Sequence, residues 1–363
     1  MTTLNCRAEL RLLKLFDYLH LIVDRLESFD ATIERGDGTL AFTYSFGSAR
    51  FIMQPETLVM EASAHDEHGL RRIKELLSVA IELYAKSENP QVTWEGDLAD
   101  DTTLPSFRLM RVDNAWQVTP GMRRVRLLGD NLDRFETASS MHIRMLFPTA
   151  AVPEPVWPIA GRNGLALWPS EERKPVTRVY TIRNIDAAAG YMDIDFVVHG
   201  DAADGHEGVG CAWAMHAAEG DVVGIMGPLG RPVRAAEWYI MGCDETGLPA
   251  LSRILERLPS HARGFAFVEV ADAACEQRIA HPDGIDLRWI HRDGVAGGEH
   301  EGLVQAIRAV AWPEDVSSFG WFASESDASR QVREYWRTTL AYGRDKTLAA
   351  GYWKRGAAGL MAN

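Results

Sequence analysis

The chain has 363 residues, and 46% of them are hydrophobic, which is enough apolar material for two or three hydrophobic cores. Its formal net charge of −13 disfavours nucleic acid as the main partner, because a basic footprint for the phosphate backbone is missing, and it leaves room for a local basic pocket. The cysteines, Cys6, Cys211, Cys243 and Cys275, are far apart and form no CxxC pair, which disfavours disulfides, an iron–sulfur cluster or a metal site.

These properties also bear on location and on redox chemistry. No run of about 18 apolar residues is present, so we expect no insertion into a membrane. The start MTTLNCRAEL lacks the apolar core of a signal peptide, and we therefore expect a cytoplasmic protein. Any redox chemistry would need a bound organic cofactor.

Residues 1–95 are predicted to form a small α+β domain with the order helix, three strands, helix. The helices are expected in LLKLFDYLHLIVDRLE and HGLRRIKELLSVAIELYAKS, where apolar residues recur at helical spacing. Between them, GTLAFTYSF, ARFIMQ and TLVMEAS alternate apolar and polar residues as strands do, and QVTW is a further short strand. The acidic segment 96–103, GDLADDTT, is interpreted as a linker.

Residues 104–234 are predicted to form an antiparallel β-barrel. Short strands divided by turn residues are expected in AWQVTPGMRRVRLLG, SSMHIRMLFP, VTRVYTIRN, YMDIDFVVHG and GDVVGIMGPLG. One helix, CAWAMHAA, follows the glycine-rich loop GDAADGHEGVG.

Residues 235–356 are predicted to form an α/β domain with a C-terminal helix and tail. The apolar strands EWYIMG, GFAFVEVA, DLRWIHR and FGWFAS alternate with the helical segments LPALSRILERL, LVQAIRAVA and DASRQVREYWRTTLAYGRD. This alternation is typical of a parallel sheet with helices on both faces.

Three short motifs suggest a phosphate-bearing cofactor. In RVYTIRN (178–184), Arg178 can offer a planar fork to a phosphate and the next two polar residues offer hydroxyls, although an edge strand with a solvated face would look similar. GVGCAW (208–213) superficially matches a dinucleotide fingerprint, but its last residue is Trp213 and it lies within the barrel segment. Its glycines still open a helix whose free N–H groups would attract a pyrophosphate; an ordinary loop with a glycine N-cap is the alternative.

The third motif is GCDETGLPALSRIL, which follows the strand EWYIM. The carboxyl end of a strand that turns into a helix is where α/β sheets bind ligands. Asp244, Glu245 and Thr246 stand at this helix start, where N-capping alone would also favour such residues.

Taken in order, RVYT, MDIDFVVHG, the glycine loop before WAMHAAEGD, GP at 227–228, CDETGLPAL and AAGYWKRG resemble the siderophore-interacting protein family of ferric-siderophore reductases. The resemblance runs from about residue 107 to 356, and the barrel followed by an α/β domain resembles the ferredoxin-reductase-like superfamily. It implies bound FAD, cytoplasmic reduction of a ferric siderophore, and electrons from NADH, NADPH or a ferredoxin. Residues 1–95 more weakly resemble a small domain of unknown role that is sometimes fused to such reductases.

The resemblance also implies which residues bind. The flavin and its phosphates would lie on the strand VTRVYTIRN, and the adenosine would lie on the next strand, YMDIDFVVHG. The pyrophosphate would lie at the loop that contains GVGCAW, and the aromatic pair of the segment AAGYWKRG would close over the cofactor. The implied FAD site consists of Arg178, Val179, Tyr180, Thr181, Asp195, Phe196, Val198, His199, Gly210, Cys211, Ala212, Trp213, Asp244, Glu245, Thr246, Tyr352 and Trp353. Residues 244–246 would lie between flavin and nicotinamide.

An anionic ferric catecholate calls for a cationic site in this acidic protein. Arg144 in MHIRMLFP matches the basic residue of the family pattern HxKLxFP. A second family cation aligns near Leu348, and Lys346, Arg344 or Arg231 could substitute for it. No acid–base catalyst is expected, since the reaction transfers electrons.

Two departures from the family concern the cofactor sites. Cys211 replaces a hydroxyl residue of the pyrophosphate loop, so one phosphate hydrogen bond is expected to be missing. Ser324 in WFASE stands where the family pattern WxAGE has glycine, and its Cβ is expected to tighten the nicotinamide site.

Two other functions remain open. One is a general NAD(P)H:flavin or ferredoxin-type oxidoreductase with the same fold, and the other is a non-enzymatic siderophore-binding or iron-trafficking protein with a vestigial flavin site. Arg144 favours the siderophore reductase over the first, and the intact RxYT favours both enzymes over the binding protein.

Overall fold

The computed structural model describes residues 3–29, 31–137, 140–198, 208–299 and 301–357. The chain divides into two compact units, one of residues 1–107 and 154–174 and the other of residues 108–153 and 175–363. Within the described ranges, no helix is long and apolar enough to cross a lipid bilayer. All four cysteines are buried free thiols.

The strands and α-helices of the described residues have the following bounds. The strands are β1 Leu4–Arg11, β2 Thr32–Gly36, β3 Thr39–Tyr44, β4 Gly47–Met53, β5 Thr57–Ala64, β6 Glu95–Gly96, β7 Phe107–Thr119, β8 Met122–Leu128, β9 His142–Phe147, β10 Ile159–Ala160, β11 Ala166–Leu167, β12 Val176–Asp186, β13 Tyr191–Val197, β14 Val222–Leu229, β15 Trp238–Cys243, β16 Arg263–Val270, β17 Gly284–His291, β18 Ser318–Glu325 and β19 Thr347–Trp353. The helices are α1 Leu15–Glu27, α2 Glu67–Tyr84, α3 Val209–His216, α4 Leu248–Leu255, α5 Gly302–Ala309 and α6 Ser326–Glu334.

The first unit contains a six-stranded sheet of order β2-β3-β4-β5-β1-β6, with α1 and α2 packed on it. The predicted order of helix, strands and helix is confirmed, and the structure adds β1 before the first helix and β2 after it. Strand β1 was not predicted because its buried side chains at Cys6 and Ala8 are small and alternate with charged residues. The predicted strand QVTW is coil, and only the two residues that follow it, Glu95 and Gly96, pair with β1.

The second unit begins with a closed antiparallel barrel of strand order β12-β13-β8-β7-β14-β9, which confirms the predicted barrel. Its core is filled by alternate residues of each strand, as the pleat requires. On β9, Ile143, Met145 and Phe147 are fully buried in this core. His142 and Arg144 alternate with these residues along the strand and therefore face out of the barrel.

The barrel is followed by a parallel sheet of order β17-β16-β15-β18-β19. Helix α4 packs on one face of it, and α5 and α6 pack on the other, as predicted. The last strand, β19, was not predicted. Its residues Ala349, Ala350 and Gly351 have little intrinsic preference for strands, so its conformation depends on pairing with β18.

The segment 154–174 leads to a prediction about how the second unit folds. Phe147 and Val176 are direct cross-strand partners, so a short Gly-Ser linker in place of 154–174 can join β9 to β12. A chain without residues 1–107 and with that linker is expected to unfold in one cooperative thermal transition. A chain that lacks only residues 1–107 should be cut by thermolysin within 154–174, since Trp157 loses its ring contact with Phe107. Loss of the cooperative transition in the linked chain would contradict this account.

Candidate flavin and nicotinamide site

Strand β12 presents its predicted flavin-binding residues on two faces. Tyr180 packs in an aromatic cluster, with its ring centroid 4.5 Å from that of Phe196 and 6.0 Å from that of Phe147. Arg178, two residues earlier, is half-buried on the same face of the strand and donates from Nη1 to the Thr177 carbonyl at 2.8 Å. Val179 and Thr181 face the other side.

The start of helix α3 lies against Tyr180. A Cβ placed on Gly210 would overlap the Tyr180 hydroxyl, so the close approach of the helix to this ring requires glycine. Ala212 makes the first bond of the helix, from its N–H to the Gly208 carbonyl at 3.0 Å, and the N–H groups before it have no acceptor in the helix. The N–H groups of this first turn lie beside Tyr180 and next to the Arg178 strand, and their position fits the phosphates of FAD.

The other residues of the predicted pyrophosphate and adenosine segments lie around this point. Trp213 joins the aromatic cluster, 5.7 Å from Phe196 between ring centroids, and Cys211 is buried in the first turn of α3. Val198 lines a cleft described below. His199 was also predicted to bind, and it lies outside the described residues.

Asp195 is a predicted cofactor residue whose carboxylate is already engaged. Its two oxygens accept a bidentate pair from Arg124 on β8, at 2.5 and 2.8 Å. Asp193 repeats the arrangement with Arg126 at 2.8 and 3.0 Å. These pairs join β13 to β8 and stabilise the barrel wall.

Asp244 joins the carboxyl ends of three neighbouring strands. Its Oδ2 accepts from Ser324 Oγ at 2.9 Å and from Trp353 Nε1 at 2.7 Å. Its Oδ1 accepts from the backbone N–H of Thr246 at 2.9 Å and from the hydroxyl of the same residue at 2.5 Å. Burial raises the pKa of Asp244, against the effect of these bonds. The side chain of Ser324, where the family has glycine, is therefore directed at Asp244.

A cleft of about 600 Å³ lies beside Asp244, where β15 and β16 end. Glu245 faces it and forms a bidentate pair with Arg292, at 2.7 and 2.6 Å. Glu269 and Asp272 from β16 and the segment after it also line the cleft, with Val197 and Val198 from the barrel on the other side. The cleft thus has the position at which α/β sheets bind ligands.

Tyr352 and Trp353 were predicted to close over the cofactor as a pair, but they point in different directions, as neighbours in a strand do. The Trp353 indole lines the cleft and donates to Asp244. The Tyr352 hydroxyl instead bonds Nε2 of His142 on the barrel, at 3.0 Å. His142 in turn bonds Thr181 Oγ1 through Nδ1 at 3.1 Å.

The predicted substrate cations lie in different places. Arg144 is half-buried on the outer face of β9, opposite Val179 and two residues from His142. Arg231 is exposed and directly follows Gly230, whose Cα lies close to the His142 ring. Lys346 precedes the amino end of β19, about 20 Å along the strand from Trp353, so the structure does not bring it to the site.

Comparisons with known proteins bear on this arrangement. Residues 111–232 match a family model described as the siderophore-interacting FAD-binding domain, and residues 236–356 match one described as siderophore-interacting protein. The ferric vibriobactin reductase ViuB of Vibrio cholerae is 36% identical over 244 residues, which cover 66% of this chain and 86% of that protein. The chain belongs to the siderophore-interacting protein family. The NADPH-dependent ferric-chelate reductase of Escherichia coli is 31% identical over 253 residues, covering 68% of this chain and 92% of that protein.

Solved structures of siderophore-interacting proteins share the fold. A siderophore utilization protein from T. fusca has a TM-score of 0.62 and 34% identity, and covers 70% of this chain and 95% of its own. SipS from Aeromonas hydrophila has a TM-score of 0.60 and 29% identity, and covers 69% and 93% respectively. The predicted family and fold class are confirmed.

His142 gives this siderophore-interacting protein a pH dependence that can be measured. Burial, followed by the nearby charge of Arg253, lowers the pKa of His142 from 6.5 to about 4. As the pH falls from 6.5 to 4, the unfolded chain binds a proton that the folded chain does not, so the His142 contribution to the free energy of unfolding falls by about 3 kcal/mol.

The measurement compares urea unfolding of the parent and of His142→Asn at neutral pH and near pH 4. The difference in unfolding free energy between the two proteins should change by about 3 kcal/mol, because only the parent loses this contribution. Equal pH slopes for both proteins would contradict the assignment.

Proposed function

We propose that this siderophore-interacting protein is an FAD-dependent reductase of ferric siderophores that releases iron as Fe(II) in the cytoplasm. The observation that carries the proposal is the close approach of Gly210, at the start of α3, to the Tyr180 hydroxyl. There is no space for a side chain on residue 210. This contact lies inside the segment that matches the siderophore-interacting FAD-binding domain. Similarity to the ferric vibriobactin reductase of Vibrio cholerae supports the substrate class.

The residues of β12 and α3 hold the cofactor in this proposal. Arg178 offers a planar guanidinium to a phosphate, and the N–H groups of the first turn of α3, together with the helix dipole, bind the pyrophosphate. Tyr180 supports the flavin ring, and Thr181 hydrogen-bonds its edge. FAD, when bound, accepts a hydride equivalent and passes single electrons to Fe(III).

The outer face of β9 and β12 is the proposed position of the ferric siderophore. Arg144 lies two residues from His142 on the same face of β9, about 7 Å along the strand. An anionic ferric complex next to this guanidinium would therefore lie close to the flavin edge at Thr181. Arg231 is the second cation that we assign to this site, because it follows Gly230 beside the His142 ring.

The cleft next to Asp244 is the proposed site of the nicotinamide donor. Among the described residues that line it, four are carboxylates (Asp244, Glu245, Glu269 and Asp272) and one is a guanidinium, Arg292, which Glu245 already pairs. The additional phosphate of NADPH would meet this negative charge, whereas carboxylates suit the ribose hydroxyls of NADH. NADH is therefore the donor that we propose, and a ferredoxin is the alternative.

The experiment is anaerobic turnover with FAD-loaded protein, a panel of ferric catecholate and hydroxamate siderophores, and a chromogenic Fe(II) chelator as trap. Reaction with NADH should exceed reaction with NADPH and should release Fe(II) from the catecholates. Flavin bleaching without release of iron from any siderophore would indicate a general flavin oxidoreductase. Absence of bleaching with NADH, NADPH and reduced ferredoxin would indicate a binding protein.

Arg144→Ala is expected to raise the KM for a ferric catecholate about tenfold and to leave the rate of FAD reduction by NADH unchanged. Arg144→Glu should raise the KM further, because it adds repulsion, and Arg144→Lys should restore most of the parent value. The effect should become smaller in high salt, which screens a partly exposed charge. Parent-like KM values for all three variants with every siderophore would remove Arg144 from the substrate site.

A further inference from the structure

A chain of two hydrogen bonds connects the α/β domain to the proposed flavin strand. It runs from the Tyr352 hydroxyl on β19 to Nε2 of His142 at 3.0 Å, and from Nδ1 of His142 to Thr181 Oγ1 at 3.1 Å. The imidazole also makes an edge-on contact with the Tyr352 ring, with centroids 5.4 Å apart at 89°. A Cβ on Gly230 would lie 2.8 Å from the imidazole Cδ2, so the backbone at Gly230 lies against this edge of the ring.

The protonation state of His142 restricts the direction of this chain. Burial, followed by the charge of the Arg253 guanidinium, lowers the pKa of His142 to about 4, so the ring is neutral at physiological pH. A neutral imidazole has one N–H donor and one acceptor nitrogen. One of the two hydroxyls must therefore donate to the ring, and the other must accept from it.

The surroundings of Tyr352 decide between the two directions. Among the described residues, His142 Nε2 is the one acceptor within reach of the Tyr352 hydroxyl. If Nε2 carried the hydrogen, the hydroxyl hydrogen of this half-buried tyrosine would have no acceptor among the described residues, which is costly. Tyr352 therefore donates to Nε2, and Nδ1 carries the hydrogen and donates to Thr181.

This direction leaves the Thr181 hydroxyl with a hydrogen to donate. Thr181 is 5% exposed, and in the described part of the chain its side chain has His142 as its one hydrogen-bonding partner. We propose that His142 is a positioning residue, held in its Nδ1–H tautomer by Tyr352, that makes Thr181 a hydrogen-bond donor to the edge of the flavin. The inference rests on the proposed function, which puts the flavin edge next to Thr181.

The tautomer can be measured without cofactor. In the FAD-free parent labelled with ¹⁵N-histidine, the signal that His142→Asn removes should show a protonated Nδ1 and an unprotonated Nε2. Tyr352→Phe should convert this signal to that of a tautomer mixture. A protonated Nε2 in the parent would overturn the proposal, whatever the protein does with FAD.

The link to the flavin is tested by FAD dissociation constants and the visible spectrum of the bound flavin. Thr181→Val and His142→Leu should each weaken binding about tenfold and shift the flavin spectrum alike, and the double variant should be no weaker than either. His142→Asn should keep the parent affinity, since its amide nitrogen is as many bonds from the backbone as Nδ1. His142→Gln, which reaches the position of Nε2 instead, should bind like the leucine variant.

Several outcomes distinguish this inference from the proposed function. Additive effects of Thr181→Val and His142→Leu, or an asparagine variant as weak as the leucine variant, would show that His142 only fills space. If His142→Leu fails to fold, the asparagine and glutamine pair still separates the two nitrogens. A parent that does not bind FAD would refute the proposed function and leave the tautomer measurement as the test of the chain itself.

Discussion

Gly210→Ala is expected to weaken FAD binding by about tenfold to a hundredfold. The new Cβ would overlap the Tyr180 hydroxyl, so either the ring or the first turn of α3 must move. Both are proposed to contact the cofactor, and Tyr180 cannot shift freely because its ring lies 4.5 Å from that of Phe196. Titration of FAD-free protein with FAD, followed by flavin fluorescence, measures the effect.

Gly208→Ala is the matched control. This residue is the N-cap of the same helix, and a Cβ on it would meet no atom within 4 Å. Its φ of −63° is accessible to alanine, so the control should bind FAD with the parent affinity. Equal losses in the two variants would show that any side chain in this loop interferes, and equal affinities would show that Tyr180 and the helix start do not form the site.

Asp244→Ala is expected to lower the free energy of unfolding by about 3 to 5 kcal/mol. The substitution leaves the buried donor of Ser324 and the half-buried donors of Thr246 and Trp353 without their acceptor. It also detaches the Trp353 indole, which lines the cleft, so affinity for NADH should fall as well. Urea unfolding followed by circular dichroism measures the first effect.

Ser324→Gly is the control for Asp244→Ala, because it removes one donor and keeps the carboxylate. It should cost about 1 kcal/mol, and it installs the glycine of the family pattern. If Asp244→Ala is no less stable than Ser324→Gly, the carboxylate does not hold the three strand ends together.

Local sequence patterns were sufficient to predict most of the strands and helices of the fold. The strands β15 and β18 are continuous apolar runs, and the barrel strands are separated by turn residues. Strand β19 lacks such a pattern, because Ala349, Ala350 and Gly351 become a strand only through pairing with β18. The same holds for β1, whose partner β5 lies about 50 residues further along the chain.

The site shows the same limit. Family motifs located Tyr180, Gly210 and Asp244, but their partners are far away in sequence and no periodicity reveals them. His142 was missed because Thr181 and Tyr352 lie 39 and 210 residues from it.

The carboxylate of Asp244 was predicted to lie between flavin and nicotinamide. In the structure, it bonds residues 80 and 109 positions away. The sequence identifies each side chain, but it does not show in which direction that side chain points within the folded domain.

Electron transfer from the reduced flavin to a ferric siderophore can be tested in a single turnover. FAD-loaded protein is photoreduced without oxygen and mixed with an excess of one ferric catecholate siderophore in the presence of an Fe(II) chelator. We expect the oxidised flavin spectrum to return as about two Fe(II) ions are trapped per FAD, one for each electron of the reduced cofactor. A flavin that stays reduced in the presence of every ferric siderophore, and is reoxidised only by oxygen, would contradict this expectation.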